Sequence, residues 1–267
     1  MKLVHLFLCG AAAAALAMPS FPQQTSPGYH AVACFKVKPD SAAAFREFAA
    51  GETHKIAQGR VDDGELTAWY LLRAVYPQGE SSDCDYLVIS IFPKLPHTLG
   101  TEQLDAAIKK AGLKITPEDY IKHRDAVTRL VSVAIFQNRA SAGSPKKGDY
   151  FQVNYMKVSE ANIDDWVVFE KTIWQPIAEA LVKDGKENGW SLNVAAMPFG
   201  TDLPYQGVTV DVFPSMDAVF ADDPQFADRF RKVHPDMELG TTFERAEKLR
   251  SRSLVRLFVL DDIVTAQ

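Results

Sequence analysis

The sequence predicts an α+β protein made of two tandem βαββαβ units, and three observations carry that prediction. Shifting the chain by 121 residues aligns 29–93 with 150–214 without a gap, and 17 of the 65 positions are identical. Within each copy, period-two apolar alternation marks strands and a 3.6-residue spacing marks a helix between the first two of them. Between the copies lies the Gly/Ser/Pro/Lys-rich stretch 138–149, which has the composition of a link.

Each element follows in order. Alternation predicts first strands over 30–36 and 151–157. The helix after them shows an apolar stripe, Phe45, Phe48 and Ile56 in copy one and Trp166, Phe169, Ile173 and Ile177 in copy two. Asp63-Gly64 and Asp184-Gly185 then end it with a glycine. Second strands begin near Trp69 and Trp190, and third strands occupy 86–92 and 207–213. A second helical region and last strands over 130–136 and 254–260 complete each unit. The order β-α-β-β-α-β is the ferredoxin-like unit, with 29–137 and 150–262 as its two copies.

Such a unit packs its helices on one face of the sheet and leaves the other face needing a partner, which the second copy supplies. Element order and duplication resemble the dimeric α+β barrel superfamily over nearly all of 29–260. That superfamily includes antibiotic-biosynthesis monooxygenases, haem-degrading monooxygenases and chlorite dismutases. The resemblance implies two sheets closing on an interior, within one chain.

Strand parity sorts side chains by face. In copy two, one apolar set (Val153, Tyr155, Trp190, Leu192, Val194, Val208, Val210, Val212) is assigned to the helix side. The opposite set, assigned to the interior, holds Gln152, Asn154, Ser191, Asn193, Thr209, Asp211 and Phe213, joined by Arg256. In strand order 4-1-3-2 a row Arg256–Asn154–Asp211–Asn193 crosses the sheet, and Asp211 beside Arg256 would form an ion pair. The facing wall from copy one is more apolar, with Ala31, Phe35, Tyr70, Leu72, Val88 and Phe92. One polar wall opposite one apolar wall describes a pocket for a small, largely apolar molecule. Asp211 and Arg256 are the candidate catalytic pair. Gln152, Asn154, Ser191, Asn193, Thr209, Phe213 and Tyr70 are the candidate ligand contacts.

The resemblance adds a cofactor expectation. Phe230-Arg231-Lys232-Val233-His234 resembles the Phe-x-x-x-His segment in which haem-degrading monooxygenases place their iron ligand, which implies His234 as a haem ligand. Asn154 matches the asparagine of that family's first strand. Phe213 stands where the family has its catalytic tryptophan, a departure that points away from haem degradation.

Met1-Lys2 followed by an apolar run ending in Ala15-Leu16-Ala17 reads as a secretory leader over 1–17, with a Pro-rich lead-in over 18–28. The expectation is therefore an exported protein without a membrane span. Beyond the leader lie Cys34 and Cys84. Parity puts them on opposite faces, which favours two buried thiols over a disulfide. A net charge of −5 without basic runs argues against nucleic acid. No P-loop, GxSxG elbow or HExxH occurs. The sequence thus leads to a small-molecule-binding barrel, with cofactor-free monooxygenase, isomerase or lyase chemistry as its possible activity. Its alternatives are a non-catalytic interaction module and a haem protein using His234.

Overall fold

A computed structural model describes residues 28–79, 82–96 and 100–266. The predicted leader and all but the last residue of the lead-in lie outside the described residues.

The first unit runs β1 (Tyr29–Val37), α1 (Ala42–Phe48), a π-helical turn (Ala49–Thr53), α2 (His54–Asp62), β2 (Ala68–Tyr76), β3 (Tyr86–Phe92), α3 (Thr101–Lys110), α4 (Pro117–Val127) and β4 (Thr128–Gly143). The second runs β5 (Tyr150–Val158), α5 (Ile163–Phe169), a π-helical turn (Glu170–Trp174), α6 (Gln175–Lys183), β6 (Gly189–Met197), β7 (Gly207–Phe213), α7 (Met216–Phe220), α8 (Phe226–Val233), α9 (Leu239–Leu249) and β8 (Arg250–Thr265). The second helical region expected in each unit is two helices in the first and three in the second.

The eight strands close a barrel in the order β1-β3-β2-β8-β5-β7-β6-β4. Each unit keeps the order 4-1-3-2, and the last strand of one pairs with the second strand of the other. This explains why β4 and β8 have 16 residues each. The first part of β4 pairs with β1, from Thr128↔Val37 to Gln137↔Tyr29, and its end pairs with β6, as far as Gly143↔Gly189. β8 does the same with β5 and β2. The stretch expected to be a link is therefore strand as far as Gly143, because those residues close the barrel. Gly143 has φ of 69°, and a Cβ there would collide with the Asn188 carbonyl.

The helix stripes pack as their spacing requires. Phe45 and Ile56 are buried in the first unit, with Phe48 half-buried against Tyr120, and Trp166, Phe169, Ile173 and Ile177 are buried in the second. Gly64 and Gly185 end these helices, each with φ of 69°, the left-handed cap that glycine adopts at least cost.

Two sequence expectations are corrected here. The first concerns parity. Trp69, Leu71, Trp190, Leu192 and Val194 do face the helices, but β1, β3, β5 and β7 are turned over relative to the expectation. Val32, Leu87, Ile89, Phe151, Val153, Val208 and Val210 face the barrel interior, and Ala31, Val88 and Phe92 face the helices. These four strands have the barrel interior on one face and helices on the other, so an apolar set suits either side.

The second correction concerns the cysteines. Cys34 and Cys84 form a disulfide, with Cα atoms 5.4 Å apart. Cys84 precedes β3 and is not governed by its alternation. The chain there is held to β1 by the Asp85 amide donating to the Phe35 carbonyl at 2.8 Å, which brings Cys84 under Cys34.

Candidate functional site

The expected polar row is divided between the two sides of the sheet. Ladder pairing sets Val153 opposite Arg256, and Gln152 opposite Asp211. Arg256, Ser191, Asn193 and Tyr70 therefore line the barrel interior, whereas Gln152, Asn154, Thr209 and Asp211 face the helices of the second unit. Phe213 pairs with Tyr150 at the end of β7, on the Asp211 side of the sheet. The expected Asp211–Arg256 pair does not form, because their ladder partners Gln152 and Val153 are consecutive on β5 and so point to opposite faces.

The barrel holds a cavity of about 600 Å³. Its walls are mostly apolar, with Val32, Ile89, Phe136, Phe151, Val153 and Val210 among them. Polar groups gather towards one part of it. The Arg256 guanidinium donates to Asp83 at 2.6 Å and lies 5.6 Å over the Tyr155 ring. Its buried Nε has no partner among the described residues. The Tyr155 and Tyr205 rings meet edge to face at 4.8 Å, and burial pushes the Tyr155 hydroxyl up to about 12. Asn138 donates to Asn193 at 3.0 Å, and Asn193 to Ser191 at 2.9 Å, so these amides are held in fixed orientation. Burial also raises Tyr70, and it lowers His30, another lining residue, to about 4. At neutral pH His30 is thus an uncharged donor and acceptor.

A second cavity of about 360 Å³ lies between the sheet and the helices of the second unit. Here the Asn154 side-chain amide donates to Asp211 at 2.7 Å, and Arg252 donates to the Asn154 side-chain oxygen at 3.3 Å. Glu170, on the π turn, accepts from Trp166 at 2.8 Å and from Arg250 at 3.3 Å. Desolvation pushes Asp211 up to about 6 against the pull of Asn154, Arg252 and Arg250. Burial, and then the Asp211 charge, push Glu187 up to about 9. Sequence reasoning missed Glu187 and Glu170. Glu187 stands three residues before Trp190, in the turn ahead of β6, where alternation carries no information.

His234 does not fit the haem role. Its Nε2 donates to the Ile173 carbonyl at 2.9 Å, which keeps the ring in the helix layer beside Phe230 and off the barrel wall. Among the described residues, no group of three or more His, Cys, Asp or Glu is placed to hold a metal ion. No described helix is long and apolar enough to cross a membrane.

No protein-family model and no curated protein matches the sequence. Solved structures do match the fold. A putative monooxygenase from Fusobacterium nucleatum superposes with a TM-score of 0.56 at 9% identity, covering 91% of this chain and 96% of the other. A putative monooxygenase from Lactobacillus acidophilus gives 0.53 at 11% identity, covering 90% and 96%. A haem-binding protein from Thermus thermophilus aligns at 0.41 and 12% identity, covering 88% and 91%. The chain has the dimeric α+β barrel fold. Below 15% identity that likeness fixes architecture and leaves activity to the site.

Proposed function

We propose that the protein binds a small, largely apolar molecule inside the barrel, with an anionic or oxygen-bearing end meeting Arg256. The observation that carries this reading is the cavity of about 600 Å³, with apolar walls and its guanidinium and tyrosine hydroxyls gathered together. Apolar walls supply affinity, and a few oriented polar groups set the pose. We further propose that the chain is exported. The leader-like sequence over 1–17 supports this, as does the Cys34–Cys84 disulfide, a bond that persists in oxidising compartments.

Turnover of the bound molecule by cofactor-free oxygenase, isomerase or lyase chemistry is the second reading. The observation favouring it is His30, a neutral imidazole on the cavity wall. With its pKa lowered to about 4, however, it is poorly matched to abstract a proton at neutral pH, so the cavity supports binding better than catalysis.

The test is a titration with 1-anilinonaphthalene-8-sulfonate, whose apolar rings and single anion match the proposed ligand class. We expect saturable one-to-one binding. Ala134→Phe, which puts a ring into the cavity, should weaken it at least tenfold, and Arg256→Met should weaken it less. Unchanged affinity in a folded Ala134→Phe protein would overturn the barrel as the binding site.

A further inference from the structure

The pocket under the second unit's helices is not something the fold requires. At the 121-residue offset, Glu187 corresponds to Leu66, Asp211 to Ser90, Asn154 to Ala33, Glu170 to Ala49 and Trp174 to Thr53. In the first unit Leu66 and Ala49 lie in an apolar core, 1% and 2% exposed, and none of the five positions carries a charge. The same backbone thus packs without buried carboxylates. Where it carries them, something other than packing must account for their cost.

Two buried atoms in this pocket have no partner among the described residues: Glu187 Oε2 and the Trp174 indole Nε1. Glu187 is only 8% exposed, so its free oxygen is desolvated and turned to the cavity. An orphaned acceptor and an orphaned donor in one cavity describe a ligand offering the reverse of each.

The charges decide the sign of that ligand. Arg250 is paired with Glu170, Arg252 is hydrogen-bonded to Asn154 and acts on Asp211, and Arg229 is held by Asp184 and Asp223. Glu187 and Glu247, which also lines the pocket, have no salt-bridge partner among the described residues. The lining thus holds four carboxyls, Glu170, Glu187, Asp211 and Glu247, against two guanidiniums, with Arg229 also acting on Glu187, so ionising the whole set leaves negative charge for a cation to balance. The Trp174, Phe226 and Phe243 rings beside it, with centroids about 6 Å apart, offer faces that attract cations.

We propose that this pocket is a second binding site, for a small amine whose ammonium group is held by Glu187 and Asp211 and whose oxygen acceptor meets the Trp174 indole. Amino alcohols are the simplest members of that class. Bound there, the ammonium lets two neighbouring buried carboxylates ionise together. Access is from the rim, where Arg252, Phe243 and Glu247 are exposed.

The experiment follows the four tryptophan indole N–H resonances in ¹⁵N-labelled full-length protein, with Trp174 assigned through Trp174→Phe. Ethanolamine is the probe and acetate the counter-probe. We expect ethanolamine to shift the Trp174 resonance saturably, and Glu187→Gln and Asp211→Asn each to weaken binding at least tenfold. Ala134→Phe, in the barrel, should leave this titration unchanged, which separates it from the barrel reading. The proposal is overturned by a Trp174 resonance that does not respond to millimolar ethanolamine. It is equally overturned by a response to acetate instead, or by unaltered affinity in whichever of the two carboxamide variants retains the wild-type spectrum.

Discussion

The two units share a backbone plan down to a π turn at matching places in their first helices, Ala49–Thr53 and Glu170–Trp174, yet they spend their side chains differently. Under its helices the first unit buries Leu66, Trp69 and Ala49, whereas the second buries Trp190 beside Glu187, Glu170 and Asn154. The barrel side shows a second contrast. Cys34 and Cys84, bonded to each other, correspond to Tyr155 and Tyr205, whose rings touch. One site is closed by a covalent bond and its counterpart by an aromatic contact carrying hydroxyls. The difference teaches that the fold fixes where side chains meet and leaves what they do there open. A π turn found in both units, with a buried carboxylate in only one, is geometry rather than a functional marker by itself.

Exchanging residues between the units should break the first contrast in opposite directions. Leu66→Glu places a carboxylate among Phe45, Trp69 and Tyr86, and should cost roughly 3 kcal/mol or more, since burial of an unpaired acid is that expensive. For a chain of this size the melting temperature should fall by on the order of 10 °C. The reverse exchange, Glu187→Leu, removes an orphaned acceptor and should stabilise by about 1–2 kcal/mol. Its gain depends on pH. A carboxyl whose folded pKa is raised binds its proton more tightly when folded, so Glu187 weakens the fold progressively as pH rises from 4.5 towards about 9. The stabilisation by Glu187→Leu should therefore be larger near pH 8 than near pH 5. Equal losses from both exchanges would mean that the second unit needs its carboxylates to fold.

The disulfide tests the second contrast, with an effect of comparable size. Cys34 and Cys84 close a loop of 50 residues, for which chain entropy alone gives about 4 kcal/mol. The double variant Cys34→Ala/Cys84→Ala should lose a large part of that on denaturant unfolding. If its unfolding midpoint matches the wild type, the Tyr155–Tyr205 contact and the bond are equivalent closures and the second contrast disappears.

Architecture was legible in the sequence because it is repeated. The 121-residue offset, the two Asp-Gly stops and the third strands at 86–92 and 207–213 all survive in the structure. The site was legible only in composition. Asn154, Asp211, Asn193 and Arg256 are indeed polar side chains that line a cavity, but a strand with the barrel on one side and helices on the other gives no polarity signal for which face is which. The tryptophans oriented β2 and β6 correctly because a large ring fits beneath a helix. β1, β3, β5 and β7 lack such an anchor, and their valines suited either side. The useful constraint was pairing: once Trp190 is placed under the helices, its ladder partner Asp211 must join it there. The disulfide was hidden for a related reason, since Cys84 lies two residues before the strand whose alternation was applied to it.

The smallest effect concerns His30, whose counterpart in the second unit is Phe151. Both line the barrel cavity, one polar and one aromatic. Burial lowers His30 from 6.5 to about 4, so the folded chain holds it neutral while the unfolded chain protonates it below pH 6.5. The unfolded state then binds more protons, and stability that is fully present above pH 6.5 is lost as pH falls towards 4. His30→Phe makes the two units alike at this position and should remove that acid-side slope. Urea midpoints of wild type and variant should run parallel above pH 7 and draw apart below pH 6, the wild type losing more. Curves that stay parallel down to pH 4.5 would show that His30 can be protonated in place, through water or a ligand in the cavity. In that case the imidazole would be a chargeable group on the cavity wall, and an anionic ligand would have two cationic anchors in acid, His30 and Arg256.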